Sequence, residues 1–174
     1  MSTSQYDRIA NKFASTRSGY RWGCVLDFMK SVPEGSTVYD IGCGSGRNMC
    51  GNYKFVGLDN CTSFVEMCQK NGHLVLLGDM CKMPFTDMCA DYIICVAAFH
   101  HLDTPKKRLN ALKEMRRILR YSGKMLLTVW SHIQPPKTKR TFDHFGDTVV
   151  PFNNEINRYY YIFQLDNLVS LLLS

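Results

Sequence analysis

Three aspartates, each standing behind a short apolar run, are the residues of this chain whose types and spacing point most directly to chemistry. Asp40 opens the segment Asp40-Ile-Gly-Cys-Gly-Ser-Gly46, in which Gly42, Gly44 and Gly46 alternate with other residues. Glycines at such a place let the backbone turn sharply and approach a ligand closely. A dinucleotide loop reads GxGxxG. An acidic residue ahead of GxGxG suits a ligand with a cation and a ribose and no pyrophosphate. Asp40 then either orients that cation or caps its own loop. Asp59 closes VGLD, where a carboxylate can accept both hydroxyls of a ribose. Asp79, in LLGDMCKMPF, can accept from an adenine amino group, with Met80 packed against the base. Any one of these aspartates alone suits a surface turn. Three in succession, each after a strand, point to one shared site.

The elements that must position them alternate along the chain. β-branched and apolar runs predict strands over Thr37–Ile41, Phe55–Leu58, Leu74–Leu77, Asp91–Ala97 and Lys124–Trp130. Helical periodicity predicts helices over Tyr6–Ala14, Tyr20–Val32, Thr62–Lys70, Pro105–Tyr121 and Leu165–Leu173. Thr104 can cap the fourth of these, with Pro105 in its first turn and Gly123 beyond its end. Near-continuous apolar strands separated by helices imply a parallel sheet covered on both faces. The whole reads as one domain over 1–174: an N-terminal helical segment at 1–35, a ligand-binding core at 36–130, and a substrate-side loop and last helix at 131–174. The stretch 131–150, with its Pro, Lys and Thr content, reads as a loop, and Lys106, Lys107 and Arg108 read as a solvated helix face.

Composition narrows the setting. The 174 residues include 21 Lys and Arg against 15 Asp and Glu, a net charge of +6, which favours an anionic partner such as RNA without requiring one. Eight cysteines are scattered with no CxxC pair, so no zinc site is indicated. The polar start, with no signal-peptide core, and the lack of any apolar run long enough for a membrane favour a reducing cytoplasmic or nuclear setting.

DIGCGSG, GLD, GDMCKMPF, DYIICVAAFHHL and ILRYSGKMLL, in that order between Ser36 and Trp130, resemble the motifs of class I S-adenosylmethionine-dependent methyltransferases. The resemblance implies a Rossmann-like three-layer α/β sandwich, with a mostly parallel sheet beginning in order 3-2-1-4-5. It implies S-adenosylmethionine as cofactor, held by Asp40, Gly42, Cys43, Gly44, Gly46, Asp59, Asn60, Asp79, Met80 and Val96. One of His100 and His101 then either faces the substrate as a hydrogen-bonding group or supports its loop.

The flanks resemble a narrower family. YDRIANKFASTR (Tyr6–Arg17), DTVVPF (Asp147–Phe152), RYYYIF (Arg158–Phe163) and the Trp130-Ser131 pair are similar to segments of the eukaryotic tRNA wobble-uridine methyltransferases. Those enzymes convert 5-carboxymethyluridine to its methyl ester. A carboxylate acceptor calls for a cation to place it, which makes Arg17 the first catalytic candidate, with His100 beside it; Arg17, His101, the basic stretch Lys137, Lys139 and Arg140, and Arg158 are the candidate substrate contacts. Arg17 would grip a carboxylate bidentately or else form a surface salt bridge. Phe142, Phe145, Tyr159 and Tyr160 either stack on an anticodon base or belong to the core. Phe152 stands where the family has tryptophan, and Tyr161 where it has histidine. The family continues into two further strands beyond the last helix, and without them the fifth strand is a second open edge. It also implies a small zinc-binding activator subunit, for which the apolar edge strand Leu74–Leu77 offers a place to pair.

Two other classes use the same central motifs: a methyltransferase acting on a small metabolite, and a methyltransferase-like scaffold that binds a partner without turnover. A nicotinamide dehydrogenase fits less well, because the glycine spacing differs and no Tyr-x-x-x-Lys pattern follows the fourth strand.

Overall fold

The computed structural model describes residues 5–17, 21–133, 141–153 and 156–173. Its centre is a sheet of five parallel strands: β1 (Thr37–Ile41), β2 (Lys54–Asp59), β3 (Val75–Leu77), β4 (Ala90–Val96) and β5 (Leu119–Thr128). They lie in the order β3-β2-β1-β4-β5, as the motif order implied. β1 sits in the middle, with Asp40 opposite both Gly57 of β2 and Ile94 of β4.

Alternation along the strands sorts the core into two layers. Val38, Ile94 and Val96 face one side, where they meet Val25 and Phe28 of α2 (Gly23–Lys30). Farther along the same side, Val65 and Cys68 of α3 (Thr62–Lys70) pack on Cys43 and Val75. Tyr39, Ile41, Ile93 and Cys95 face the other side, against Ala111, Leu112, Met115 and Ile118 of α4 (Pro105–Ile118). Thr104 accepts the Lys107 N–H at 3.2 Å and so starts α4 as expected. The result is the three-layer sandwich anticipated from the motifs.

Four local readings change. α4 ends at Ile118 rather than Tyr121, and the chain enters β5 at once. Leu119 pairs with Ala90, Arg120 reaches Asp91, and Gly123 lies so close that a Cβ would stand 2.8 Å from the Asp91 carbonyl. Strand pairing there outweighs helical periodicity. The segment expected as one helix over Tyr6–Ala14 is a 3-10 turn (Gln5–Arg8) followed by α1 (Ala10–Ser15). Arg108 is buried, not solvated: it donates to the Leu102 carbonyl at 2.8 Å and lies 3.8 Å over the Tyr161 ring. The loop expected over 131–150 is partly strand. Gly146–Phe152 (β6) pairs antiparallel with Ile156–Ile162 (β7), Val149 opposite Tyr159. This hairpin leans on the 3-10 turn Phe99–His101 that follows β4. The last helix, α5 (Leu165–Leu173), rests Leu168 and Leu171 on the main core. Among the described residues no helix is long and apolar enough to cross a membrane.

Candidate active site

A cavity of about 1160 Å³ opens at the carboxyl ends of β1, β2 and β4, where the strands hand over to loops. Parallel sheets bind ligands there because the connecting loops diverge at the strand order's reversal. The floor is the glycine loop. Gly42 takes a φ of +74°, and a Cβ there would lie 2.3 Å from the Ala98 Cβ, so only glycine lets the loop pass. Two thiols hold the loop from behind: Cys68 donates to the Gly44 carbonyl at 3.2 Å and Cys43 at 3.7 Å. Asp59 holds it from the side, accepting the Gly44 N–H at 2.7 Å and the Cys61 N–H at 2.9 Å. Burial pushes the Asp59 carboxyl up, and those two N–H donors pull it back. Asp79 accepts the Cys81 N–H at 2.8 Å and lines the outer wall with Met80.

Asp40 lies under this floor. It is wholly buried, and neither carboxylate oxygen has a hydrogen-bond partner within 3.5 Å. Burial first, and then the nearby Asp59 charge, push it up to about 7; the Arg47 guanidinium and the neighbouring Asn48 side chain oppose them. A buried carboxylate without a donor is costly unless a cation shares its surroundings.

The second half of the cavity is built by the N-terminal segment and the β6–β7 hairpin. The N-terminal segment is fastened by Asp7, which accepts the Ser63 N–H at 2.9 Å and the Cys61 thiol at 3.2 Å. α3 has no capping side chain of its own at Cys61, so Asp7 supplies the cap from elsewhere in the chain. Tyr6, Phe13, Arg17 and His101 then face the cavity. His101 Nδ1 lies 2.8 Å from the Tyr159 carbonyl, which can only accept; Nδ1 therefore carries the proton, and Nε2 accepts from the Tyr6 hydroxyl at 3.0 Å. Burial lowers His101 to about 4, so the ring is neutral, and its one lone pair is already engaged. The Arg17 guanidinium lies 3.6 Å over the Phe13 ring and donates to Thr16 Oγ1 at 2.8 Å.

Behind Phe13 stands a second guanidinium. Arg158 is fully buried, none of its nitrogens has a hydrogen-bond partner within 3.5 Å, and no described carboxylate pairs with it; the Tyr6 hydroxyl is a polar group that feels its charge. Its neighbours are the rings of Phe152, Tyr160 and Phe13, at 5.2, 5.3 and 5.8 Å. Ring faces offset part of the cost of such a charge. They do not neutralise it.

A family model described as a methyltransferase domain matches residues 39–127, more than half of the chain. The chain belongs to the methyltransferase family. A methyltransferase of Encephalitozoon cuniculi is 34% identical over 178 residues, spanning 95% of this chain and 81% of that protein. The tRNA (carboxymethyluridine(34)-5-O)-methyltransferase of Arabidopsis thaliana is 36% identical over 128 residues, 72% of this chain. The chain spans only 31% of that relative's length. Among solved structures, one chain comes from the complex between the Haloferax volcanii Trm112 methyltransferase activator and a methyltransferase. It superposes with a TM-score of 0.64 at 23% identity, over 74% of this chain and 62% of that one.

S-adenosylmethionine is the cofactor of this methyltransferase, and the site fits it. The Gly42 cradle admits a close ligand, Asp59 presents a carboxylate at the cavity wall, and the partnerless Asp40 beneath the loop favours a cationic ligand above it. Gly42, Cys43, Gly44, Asp59, Asn60, Asp79, Met80 and Val96 line the cavity together, as do Arg17 and His101. Four other expected site residues are not on its surface. Asp40 is buried behind the loop. Gly46 packs inward, where a Cβ would lie 3.1 Å from the Cys68 sulfur. His100 is wholly buried, its Nδ1 accepting the Trp130 N–H at 3.1 Å, and burial lowers its pKa far below the usual range; it does not line the cavity. Arg158 lies one layer back. Lys137, Lys139 and Arg140 fall outside the described residues. Tyr160 belongs to the core, stacked 4.3 Å from Trp130 and 4.9 Å from His100. Reading the sequence missed Tyr6, Asp7, Phe13 and Arg47 as site residues. Tyr6, Asp7 and Phe13 lie in the flank that carried the family resemblance, and Arg47 directly follows the glycine loop.

Proposed function

We propose that this methyltransferase esterifies the carboxylate of 5-carboxymethyluridine at the anticodon wobble position of tRNA, giving 5-methoxycarbonylmethyluridine. One observation carries the reading: among the described residues, the acceptor side of the cavity offers positive charge, and its histidine is not a competent base. Arg17 stands on its wall and Arg158 behind Phe13, while His101 is held neutral with its lone pair committed to Tyr6. A hydroxyl or amine acceptor would need a proton removed. A carboxylate is already ionised at neutral pH and needs only to be drawn in and aimed.

When bound, S-adenosylmethionine supplies a methyl carbon made electrophilic by its sulfonium. The chain's own residues do the rest. Asp59 and the Gly44 N–H keep the loop in shape, Arg17 grips the acceptor carboxylate at the wall, and Arg158 adds its charge from behind. Phe13 and Tyr6 exclude water, so the lone-pair donor meets its target without a competing hydration shell. No proton has to move. The name of the Arabidopsis thaliana relative supports the same acceptor.

The reading includes a small zinc-binding activator subunit added along β3. Leu76 and Leu77 on this edge strand, with Leu74 just before it, are 38%, 40% and 61% exposed, an apolar edge that another chain can extend. The Haloferax volcanii complex supports that expectation. The test is transfer of labelled methyl to hypomodified tRNA, with and without the activator, followed by mass analysis of nucleosides. A methyl ester on carboxymethyluridine is expected, and more of it with the activator. Cofactor binding without any transfer to tRNA would overturn the reading.

A further inference from the structure

A second, smaller cavity of about 380 Å³ adjoins the first, and its walls carry three arginines. It runs between the end of α1 at Ser15, the glycine loop at Ser45 and the end of α3 at Asn71. Arg17, Arg21 and Arg47 line it, and no carboxylate does. Arg17, Ser45 and Arg47 also line the main cavity, so the two spaces share one wall. Arg21 is tied to the loop by donating from Nε to the Arg47 carbonyl at 3.2 Å. That contact leaves its Nη atoms available. Arg47 is steadied at 5.9 Å over the Trp22 ring.

Three half-buried guanidiniums brought together repel one another, and burial makes the repulsion dearer. The Arg17 pKa is lowered chiefly by burial, and the charges of Arg158 and Arg47 push it the same way. Arg47 is partly relieved by Asp40 under the loop, but Arg17 and Arg21 have no described carboxylate partner. A groove of this kind is suited to an anion with several oxygens spread along its length. Guanidiniums take such oxygens two at a time.

We infer that the Arg17–Arg21–Arg47 groove seats the phosphate backbone of the RNA strand whose neighbouring base enters the main cavity. This rests on the tRNA reading above and adds to it the path of the backbone. The base would turn inward past Arg17, and the adjacent phosphates would lie over Arg21 and Arg47. Backbone contacts of this type position a substrate without reading its sequence.

Arg21 is the residue to test, because it lines the groove and not the main cavity. Binding of an unmodified anticodon stem-loop RNA, followed by fluorescence anisotropy over a range of salt, is compared for the native chain, Arg21→Gln and Arg21→Lys. The expected result is weaker RNA binding by Arg21→Gln and a salt slope shallower by about 0.7, the loss of one phosphate contact on a single strand. Arg21→Lys should keep the slope, since an ammonium also displaces a counterion. A role limited to bracing the Arg47 carbonyl would leave the slope alone in every variant. Cofactor affinity, measured by calorimetry, should be equal in all three chains. Unchanged RNA affinity and slope in Arg21→Gln would overturn the inference. So would lost cofactor affinity with RNA binding intact, which would assign the groove to the cofactor's own carboxylate. Normal RNA binding and a normal Arg21→Gln effect, with no methyl ester formed, would refute the proposed reaction while leaving the groove assignment standing.

Discussion

Replacing Asp40 by asparagine separates what the glycine loop needs for folding from what it needs for the cofactor. The Asp40 carboxyl rises from its ordinary 3.8 to about 7, mainly through burial. At ~1.36 kcal/mol for each tenfold change in acid dissociation, that rise corresponds to ~4 kcal/mol. The sign follows from proton counting. Between pH ~4 and ~7 the folded chain holds a proton that the unfolded chain has lost, so stability falls as pH rises through this window and is flat above it. Asp40→Asn removes the titration. The other carboxylates titrate alike in both proteins, so the stability difference between them isolates this one group. Urea unfolding of the cofactor-free proteins should show the variant gaining on the native chain by up to ~4 kcal/mol between about pH 4 and about pH 8. Cofactor affinity, by calorimetry at about pH 8, should fall about tenfold or more, as a buried anion that favours the cationic ligand is lost. In the native chain that affinity should drop as pH falls through about 7, when Asp40 takes up its proton. A stability difference that does not vary with pH would refute the reasoning, because it would mean the carboxylate is satisfied in the folded chain.

Two further substitutions probe the acceptor side. Arg158→Met should leave thermal stability unchanged or higher, since a buried ion without a partner is often replaced by an apolar side chain at no loss. Its kcat/KM for tRNA should fall about tenfold or more, as the positive charge behind Phe13 is lost. Equal turnover would remove Arg158 from the mechanism, and equal loss on a neutral acceptor would show a structural role only. Asp7→Ala should cost about 1 kcal/mol as α3 loses its cap at Ser63. Amide exchange in the segment from Gln5 to Ser15 should rise well above that of β1, and unchanged protection there would show that Asp7 does not fasten it.

The features of this protein that repeat along the chain are legible in the order of its residues. Apolar runs such as Thr37–Ile41 and Ala90–Val96 are buried on both faces, so their composition alone marks them as interior strands. The glycine loop and the carboxylates of Asp59 and Asp79 are readable for a similar reason. A βα turn fixes where the residue after a strand must stand, and its chemistry is local. The strand order comes with the motifs. What depends on distant segments meeting is not readable in this way. Leu119–Tyr121 looks helical, and only pairing with Ala90 and Asp91 makes it strand. Asp7 becomes a cap for α3 because its segment folds across that helix, 56 residues away in the chain. His100 and His101 are neighbours with identical side chains, yet the hairpin partner Tyr159 turns one to the cavity and burial hides the other. Arg158 reads in the sequence only as a candidate substrate contact. It loses its water and its partners only when Phe13, Phe152 and Tyr160, from three parts of the chain, close around it. The residues of the cofactor half were therefore legible in the sequence, because each stands at the end of a strand, although the contacts that hold the loop come from neighbouring turns. The tertiary structure decided the acceptor half, because desolvation is a property of what surrounds a residue and not of the residue itself.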